Sequence, residues 1–444
     1  MYERTFHPGE TKEIRLYGLG GDDHFHLTGT GAKGILVRMV GGADDDTFVD
    51  ESKVRGLRKM TRFYDTKKGN RLVTGSEAKN KTSNDPIRNT YDRRSLDFEY
   101  NYAIPVPVLA FNPDDGFLLG GFAHFFRYGF HKSPYASSHR VGFNYAFETE
   151  GIEATYSGEF MEVWGKLDFT LDARYNSPRY TRNFFGMGNE TVNLTGNKDE
   201  FYRVQQKTYG VTPGLRRRMG DLSWIAVKGQ WESVRIDNLA DRFTNASNPD
   251  VRPENFGTTN FAGAALEFHY ENADNIHVPT KGFLLSATLG YTANLEESDR
   301  HFGWAKGQVG FYAGGKNLVL ASRAGGEYRL NDDFEFFQAG TLGGSVNLRG
   351  FRDERFSGRS VFYHNSDLRL RLFTVKNYYL PFTLGILGGY DYGRVWVSNE
   401  DSDKWHHAAG GGIWLSPFDV GVLNFSLFHS NEGNRFQLTG SFLF

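Results

Sequence analysis

From about residue 95 to the C-terminus, hydrophobic and polar residues take turns along the chain. Ile152, Ala154, Tyr156, Gly158 and Phe160 alternate with Glu153, Thr155, Ser157 and Glu159. After Trp164-Gly165-Lys166, the run Leu167, Phe169, Leu171, Ala173 and Tyr175 alternates with Asp168, Thr170, Asp172 and Arg174. A period of two puts one set on each face of a β-strand, so the two runs predict a hairpin with an apolar and a charged side. The closing run repeats the pattern, with Phe436, Leu438, Gly440, Phe442 and Phe444 against Arg435, Gln437, Thr439 and Ser441. Roughly sixteen such runs of about 9–15 residues follow one another, the length of tilted strands that cross a bilayer. The joins alternate in length. Met219-Gly220-Asp221, Gly314-Gly315-Lys316 and Ser416-Pro417-Phe418-Asp419 are tight, whereas 177–200, 236–256 and 331–359 are long. Short periplasmic turns and long outer loops are the pattern of a transmembrane antiparallel β-barrel. The fold class predicted is therefore all-β, with a barrel of about sixteen strands over 95–444.

Residues 1–94 read as a separate periplasmic region, a small Gly/Asp-rich β module followed by a linker. Gly18-Leu19-Gly20-Gly21-Asp22-Asp23-His24-Phe25 and Gly41-Gly42-Ala43-Asp44-Asp45-Asp46-Thr47-Phe48 are similar to each other and to the nonapeptide of calcium-binding β-rolls. Such a roll stacks at nine residues, and these two pieces lie about 23 apart, so tight turns are the plainer reading and no metal site is assigned. From residue 52 to 94 the sequence is polar and basic (Lys53, Arg55, Arg58, Lys59, Lys67, Lys68), as in a linker or plug.

Composition and charge refine this picture. Hydrophobic residues are 39% and charged residues 23%, with a mean hydropathy of −0.51, and no run is long enough for a membrane helix. A barrel spreads its apolar residues over alternate positions, so a hydropathy average passes over it. Aromatics at 16% and 53 glycines against 13 prolines suit aromatic girdles and many turns. The net charge of −2 gives no basic surface for nucleic acid. Cysteine is absent, which fits an oxidising envelope and the cytosol equally. Met1-Tyr2-Glu3-Arg4 leads directly into polar sequence without a signal peptide, so an outer-membrane protein of this sequence is expected to lack its natural N-terminus.

Two stretches carry the most specific chemistry. The long gap after the run ending near residue 330 holds Val346-Asn347-Leu348-Arg349-Gly350-Phe351, and a later alternating run holds Gly389-Tyr390-Asp391-Tyr392-Gly393. A guanidinium offers a fixed fork of donors, a carboxylate accepts two of them, and glycines let two backbones approach. Together these stretches resemble the loop and strand motifs of the BamA superfamily of outer-membrane β-barrels, also called the bacterial surface-antigen family. Leu348-Arg349-Gly350-Phe351 is similar to its Val/Ile-Arg-Gly-Phe/Tyr loop motif, with Leu348 departing. Gly389, Asp391 and Gly393 match its strand motif at every fixed position. The resemblance covers Ile104 to Phe444. Ile104-Pro105-Val106-Pro107-Val108-Leu109-Ala110-Phe111 stands as the first barrel strand, Asn112-Pro113-Asp114-Asp115-Gly116 as the first hairpin turn, and Pro279-Thr280-Lys281-Gly282 as a turn opening a mid-barrel strand. Pro105 and Pro107 cannot donate to a sheet ladder and are tolerated at an edge, so this strand is expected to pair weakly on one side.

The resemblance implies that Arg349, Gly350 and Phe351 fold the sixth outer loop into the lumen and that Arg349 pairs with Asp391. It also implies a C-terminal assembly signal that includes Phe442 and Phe444, although Thr439 stands where that signal has Gly. Residues 1–94 show no helical stripe, so the two-helix POTRA modules of the family are not expected there. Localisation in the bacterial outer membrane follows, with membrane lipid, client outer-membrane or secreted proteins and periplasmic accessory proteins as partners. The function implied is insertion or translocation of proteins through a lateral seam between the strands at about 104–111 and 434–444. The other reading kept is a passive channel, or a membrane anchor for an N-terminal domain, enzymatic or not, outside this sequence. No catalytic residue or cofactor is expected. Gly310-Phe311-Tyr312-Ala313-Gly314-Gly315-Lys316-Asn317 nearly spells a phosphate loop, but Asn317 replaces Ser/Thr and a strand follows instead of a helix. His406-His407 has no partner at metal-ligand spacing, and neither a Gly-x-Ser-x-Gly elbow nor a His-Glu-x-x-His motif occurs.

Overall fold

A computed structural model describes residues 2–91, 100–112, 114, 116–180, 182–194, 200–245 and 247–444. It forms two compact units, Met1–Tyr100 and Asn101–Phe444. The boundary expected at 94/95, together with Pro113 and Asp115 of the first hairpin turn, lies outside the described residues.

The first unit is a stack of parallel coils. Glu13–Gly20, Leu36–Ala43, Thr61–Tyr64 and Ala78–Asn80 form one parallel sheet in that order, and His24–Leu27, Thr47–Asp50 and Arg71–Val73 form a second. Tyr17 lies opposite Val40 and Val40 opposite Tyr64, so each coil advances the chain by about the same length. Between the sheets Met39, Phe48, Phe63 and Ala78 are buried, with Phe25 and Phe63 stacked on either side of Phe48 at 5.1 and 5.2 Å. The similar Asp-rich pieces are thus equivalent turns of successive coils, at a spacing unlike that of a nine-residue roll. Among the described residues of 52–94 a linker is not what forms: residues 61–64 and 71–73 build the third coil, and 78–80 open a fourth. Strands of three or four residues are too short to show alternation, and the lysines that suggested a linker sit in exposed turns, as at Lys67 and Lys68.

The second unit is a closed barrel whose sixteen strands follow chain order. They are β1 (Tyr102–Asn112), β2 (Gly116–Arg127), β3 (Ser137–Ala146), β4 (Gly151–Trp164), β5 (Leu167–Asn176), β6 (Gln206–Arg218), β7 (Trp224–Ile236) and β8 (Gly257–Glu271). The second half comprises β9 (Gly282–Asn294), β10 (His301–Gly314), β11 (Leu318–Arg329), β12 (Ser360–Val375), β13 (Phe382–Trp396), β14 (His406–Pro417), β15 (Leu423–Ser430) and β16 (Gly433–Thr439). Each strand pairs antiparallel with the next, so alternate side chains point to opposite faces. In β9, Phe283, Leu285, Leu289 and Tyr291 are exposed on the outside while Thr292 and Asn294 are buried. In β15, Leu423, Phe425 and Leu427 face out, and Asn424, Ser426 and Ser430 face in. An apolar belt around a polar interior is stable only when lipid covers the belt.

The connections differ between the two ends. At one end the strands are joined by turns such as 219–223 and 315–317; at the other lie 177–205, 237–256 and 330–359. The long connections fold into a roof. Phe184, Val204, Val251, Phe336 and Phe337 cluster with Val234, Ile236 and Phe261 of the strand ends. Arg252 donates to Glu335 at 2.6 Å, joining the loop before β8 to the loop before β12. One strand ends earlier than its alternation predicts. β16 stops at Thr439, and the last residues leave the sheet: Phe442 packs edge-on against Trp414 at 5.5 Å, and Arg369 donates to the Phe444 carbonyl at 2.7 Å. A cation lying 3.9 Å over the Phe442 ring and an indole beside it outweigh continued ladder pairing there.

Candidate functional site

The site grows from the connection between β11 and β12. Gly340–Leu342 and Phe356–Gly358 pair into a small ribbon, and a single helical turn, Gly344–Asn347, sits between them. This ribbon presents Arg349 to the inner faces of β12 and β13, where Asn365 lies opposite Asp391 and Asp367 opposite Gly389. Arg349 Nε and Nη2 donate to the two oxygens of Asp391 at 2.8 and 2.6 Å. Nη2 also donates to Asp367 Oδ1 at 2.8 Å, and the Arg349 backbone N–H donates to Asp391 Oδ2 at 3.0 Å. The guanidinium carbon lies 4.0 Å from the centre of the Phe428 ring. Arg349, Asp367 and Asp391 are 2%, 1% and 0% exposed, so water screens none of these contacts. Burial alone would lower the Arg349 pKa; the carboxylates of Asp391 and Asp367 reverse that and raise it.

The glycines of both motifs have steric causes. Gly350 has φ +89°, and a Cβ there would come within 2.9 Å of Ala408 Cβ. Its carbonyl accepts from Ser430 Oγ at 2.7 Å, and the next residue, Phe351, is buried edge-on against Phe356 and His406. A Cβ on Gly389 would stand 2.8 Å from Arg349 Nη2 and from Phe428 Cζ, in the space the guanidinium occupies. At Gly393 it would meet Leu342 of the folded-in loop at 3.0 Å. All six motif residues therefore come together.

Sequence reasoning missed the rest of the network. Asp367 supplies a second carboxylate to Arg349 and also accepts from Arg369 at 3.3 Å. Arg323 of β11 donates to Asn365 at 3.0 Å and to the Val346 carbonyl. Two more arginines continue the loop at steps of three. Arg352 Nε donates to Asp114, in the turn between β1 and β2, at 2.6 Å, and the Asp353 N–H donates to the same carboxylate at 3.0 Å. Arg355 Nε donates to Glu432, in the turn between β15 and β16, at 2.7 Å, while its other nitrogens hold Thr191. The available signal was Arg349, Arg352 and Arg355 at equal spacing, and the polar inward series Asn365, Asp367, Arg369. His406, half of the adjacent pair, stacks on Phe356 at 3.6 Å and contacts the Asn189 side chain at 3.0 Å. Among the described residues no group of three or more metal-ligating side chains gathers.

Between β1 and β16, where the barrel closes, the ladder is a single residue pair, Phe111 opposite Leu438. On its other edge β1 is laddered to β2 from Tyr102 opposite Phe126 to Asn112 opposite Gly116. Phe111 and Phe436 add a ring contact across the seam at 5.9 Å.

Sixteen strands closed around a polar interior, with an apolar outer belt, define an outer-membrane β-barrel protein. Residues 141–439 match the Omp85 superfamily domain, and the chain belongs to that superfamily. Among solved structures, BamA from Haemophilus ducreyi lacking POTRA domains 1-3 matches with a TM-score of 0.54 and 15% identity over 77% of this chain and 70% of that one. CdiB from Escherichia coli matches with a TM-score of 0.51 and 12% identity over 78% of this chain and 63% of that one. No curated protein matches the sequence. The described residues of the first unit form parallel coils and no α-helix, so they do not build a POTRA module.

Proposed function

We propose that this barrel assists the insertion or translocation of client proteins through a lateral seam between β1 and β16. The observation that carries the reading is the seam itself. One ladder pair closes it, β1 contributes Pro105 and Pro107, and β16 ends at Thr439. Along 102–110 the seam-side edge of β1 has no ladder partner among the described residues. Unpaired strand edges accept another strand by β-augmentation, with main-chain hydrogen bonds supplying affinity independent of client sequence.

Loop 330–359 governs that seam in this reading. Arg349 anchors it to β12 and β13, while Arg352 and Arg355 hold turns that flank the closure point, one next to β1 and one next to β16. Opening the loop end of the seam then requires these ion pairs to release. Lipid is the solvent of the belt, the clients are outer-membrane or secreted proteins, and Phe442 and Phe444 serve assembly of the chain itself. A lumen occupied by the loop and the C-terminal residues weighs against a passive channel.

A cysteine pair at Phe111 and Leu438 tests the seam, because the chain has no cysteine of its own. Residues directly opposite in an antiparallel pair have Cβ atoms about 4.5–5.5 Å apart, near the reach of a disulfide. Oxidation is expected to abolish delivery of clients while the barrel stays assembled, and reductant to restore it. Full activity in the completely crosslinked protein would refute the lateral route. Depletion in the native cell then separates the cargoes: a broad fall in outer-membrane barrels indicates general insertion, and loss of one secreted cargo indicates a dedicated transporter or an anchor.

A further inference from the structure

The coil stack has two chemically opposite corners that the seam mechanism does not use. The turns that follow Gly20 and Ala43 carry Asp22, Asp23, Asp44, Asp45 and Asp46. In the second coil the strand Leu36–Ala43, about 26 Å long, separates that corner from the one built by residues 28–35 and 52–60. At this second corner Lys33, Lys53, Arg55, Arg58 and Lys59 are exposed, and neither segment contains an acidic residue. Among the described residues none of the five forms an ion pair, although Lys59 Nζ donates to the Ala78 carbonyl at 2.9 Å.

The basic corner ends in an apolar tip. Leu57, between Arg55 and Arg58, is 107% exposed, the most of any large hydrophobic residue described. Gly56 turns the chain outward at φ +138°, and a Cβ there would meet nothing within 4 Å. The base of the tip is fixed. Lys53 N–H donates to the Gly29 carbonyl at 2.9 Å, Arg55 N–H to the Gly31 carbonyl at 3.1 Å, and Val37 N–H to the Met60 carbonyl at 2.8 Å. A Cβ on Gly34 would stand 3.0 Å from Val54 Cγ1 and 3.2 Å from Met60 Cγ, so the neighbouring turn packs against both flanks of the tip. One exposed leucine is ordinary on a protein surface. Five cations around it without a counter-ion select the partner. An anionic phospholipid surface favours each Lys or Arg roughly fivefold, and its acyl boundary accepts the apolar side chain while the charged heads stay among the phosphates.

We propose that the first unit docks on an anionic phospholipid surface through residues 52–60. Leu57 enters the acyl boundary, and Lys33, Lys53, Arg55, Arg58 and Lys59 meet the headgroup phosphates. The chain enters β1 at Tyr102, at the barrel end with short turns, which is the periplasmic side of such barrels. The surface offered to the unit is therefore the inner leaflet of the outer membrane. The same negative surface repels the exposed Asp22, Asp44 and Asp45, so the unit is held with its acidic corner toward the periplasm. Docking depends on residence in the outer membrane and on neither the seam nor the loop lock, so it stands or falls separately from them.

The test uses the full chain refolded in vesicles, with an environment-sensitive dye on Leu57→Cys, since the chain has no cysteine of its own. Vesicles of phosphatidylcholine with about 30% phosphatidylglycerol are compared with phosphatidylcholine alone. In the anionic vesicles the dye emission should shift to the blue. Spin labels on the acyl chains should quench it at least about threefold more than the same dye on Asp44→Cys at the opposite corner. Salt at about 1 M, which screens charges beyond about 3 Å, should return the dye to water. So should Arg55→Gln/Arg58→Gln/Lys59→Gln, a set of exposed substitutions that leaves the backbone bonds at the base of the tip in place. A dye at position 57 that stays in water in the anionic vesicles would overturn the proposal. Equal quenching in phosphatidylcholine alone, or quenching that persists in the triple variant, would overturn the role of the cations. Shielding by soluble polyglutamate but by no lipid would overturn the lipid assignment in favour of an acidic protein.

Discussion

Arg349→Ala removes the cation on which two buried carboxylates converge. Asp367 keeps Arg369 at 3.3 Å, but Asp391 keeps only the residue-349 backbone N–H and loses both guanidinium contacts. Removing one partner of a buried pair destabilises by about 3–5 kcal/mol, chiefly through the charge left without a counter-ion. Loss of the contact with Phe428 adds about 1 kcal/mol. The barrel ladders do not depend on this loop, so the loss falls on loop docking, with the sheet left intact. Opening of residues 340–358 is expected to rise by at least two to three powers of ten, at about 1.4 kcal/mol per decade. Native-state hydrogen exchange of those residues in vesicles measures it, with β6 and β7 as internal reference. Asp391→Ala leaves Arg349 its Asp367 partner and should weaken docking less, by about 2–3 kcal/mol. The double variant removes the buried charge and its partner together, so its effect should fall short of the sum by at least about 1 kcal/mol. Additivity within about 0.5 kcal/mol, or unchanged exchange in Arg349→Ala, would refute the lock.

Other outcomes follow from the same geometry. Arg352→Ala and Arg355→Ala each release one turn beside the closure point, and together they should speed crosslinking of a Phe111/Leu438 cysteine pair to an external strand peptide without changing assembly; slower or unchanged capture would contradict the clasp. Gly350→Ala meets both φ +89° and Ala408 Cβ at 2.9 Å, and should undock the loop by about 1–3 kcal/mol, read by the same exchange experiment. In the coil unit, burial and the neighbouring Asp65 push the Asp46 carboxyl up to about 6, above its unfolded value near 3.9. A raised folded pKa adds stability below the unfolded value that is lost as pH rises through the folded one. Protease resistance of residues 2–91 should therefore fall from pH 4 to pH 6, by on the order of 2–3 kcal/mol. An increase in resistance over this window would contradict the buried acid pair.

The sequence by itself determined the barrel, because lipid outside and polar side chains inside impose a period of two on every strand, and the join lengths then order the ends. It also marked Arg349, Gly350, Asp391 and the glycines around it, since a bidentate ion pair between close backbones restricts residue types at fixed spacing. The tertiary structure decided what pairs across distance. Asp114 and Glu432, far apart in the chain, meet one arginine-rich loop only because closure of the sheet brings the first and last strands together. The early end of β16 was hidden, since Phe442 and Phe444 keep the alternation while their energy comes from Trp414 and Arg369 across the lumen. The coils of the first unit were hidden for a related reason. Their ladders join residues one whole coil apart, and all but two of the strands described there have only two to four residues, too few for a periodicity of their own. Local patterns record which face a residue shows; burial of Asp46 against Asp65 depends on how the coils stack.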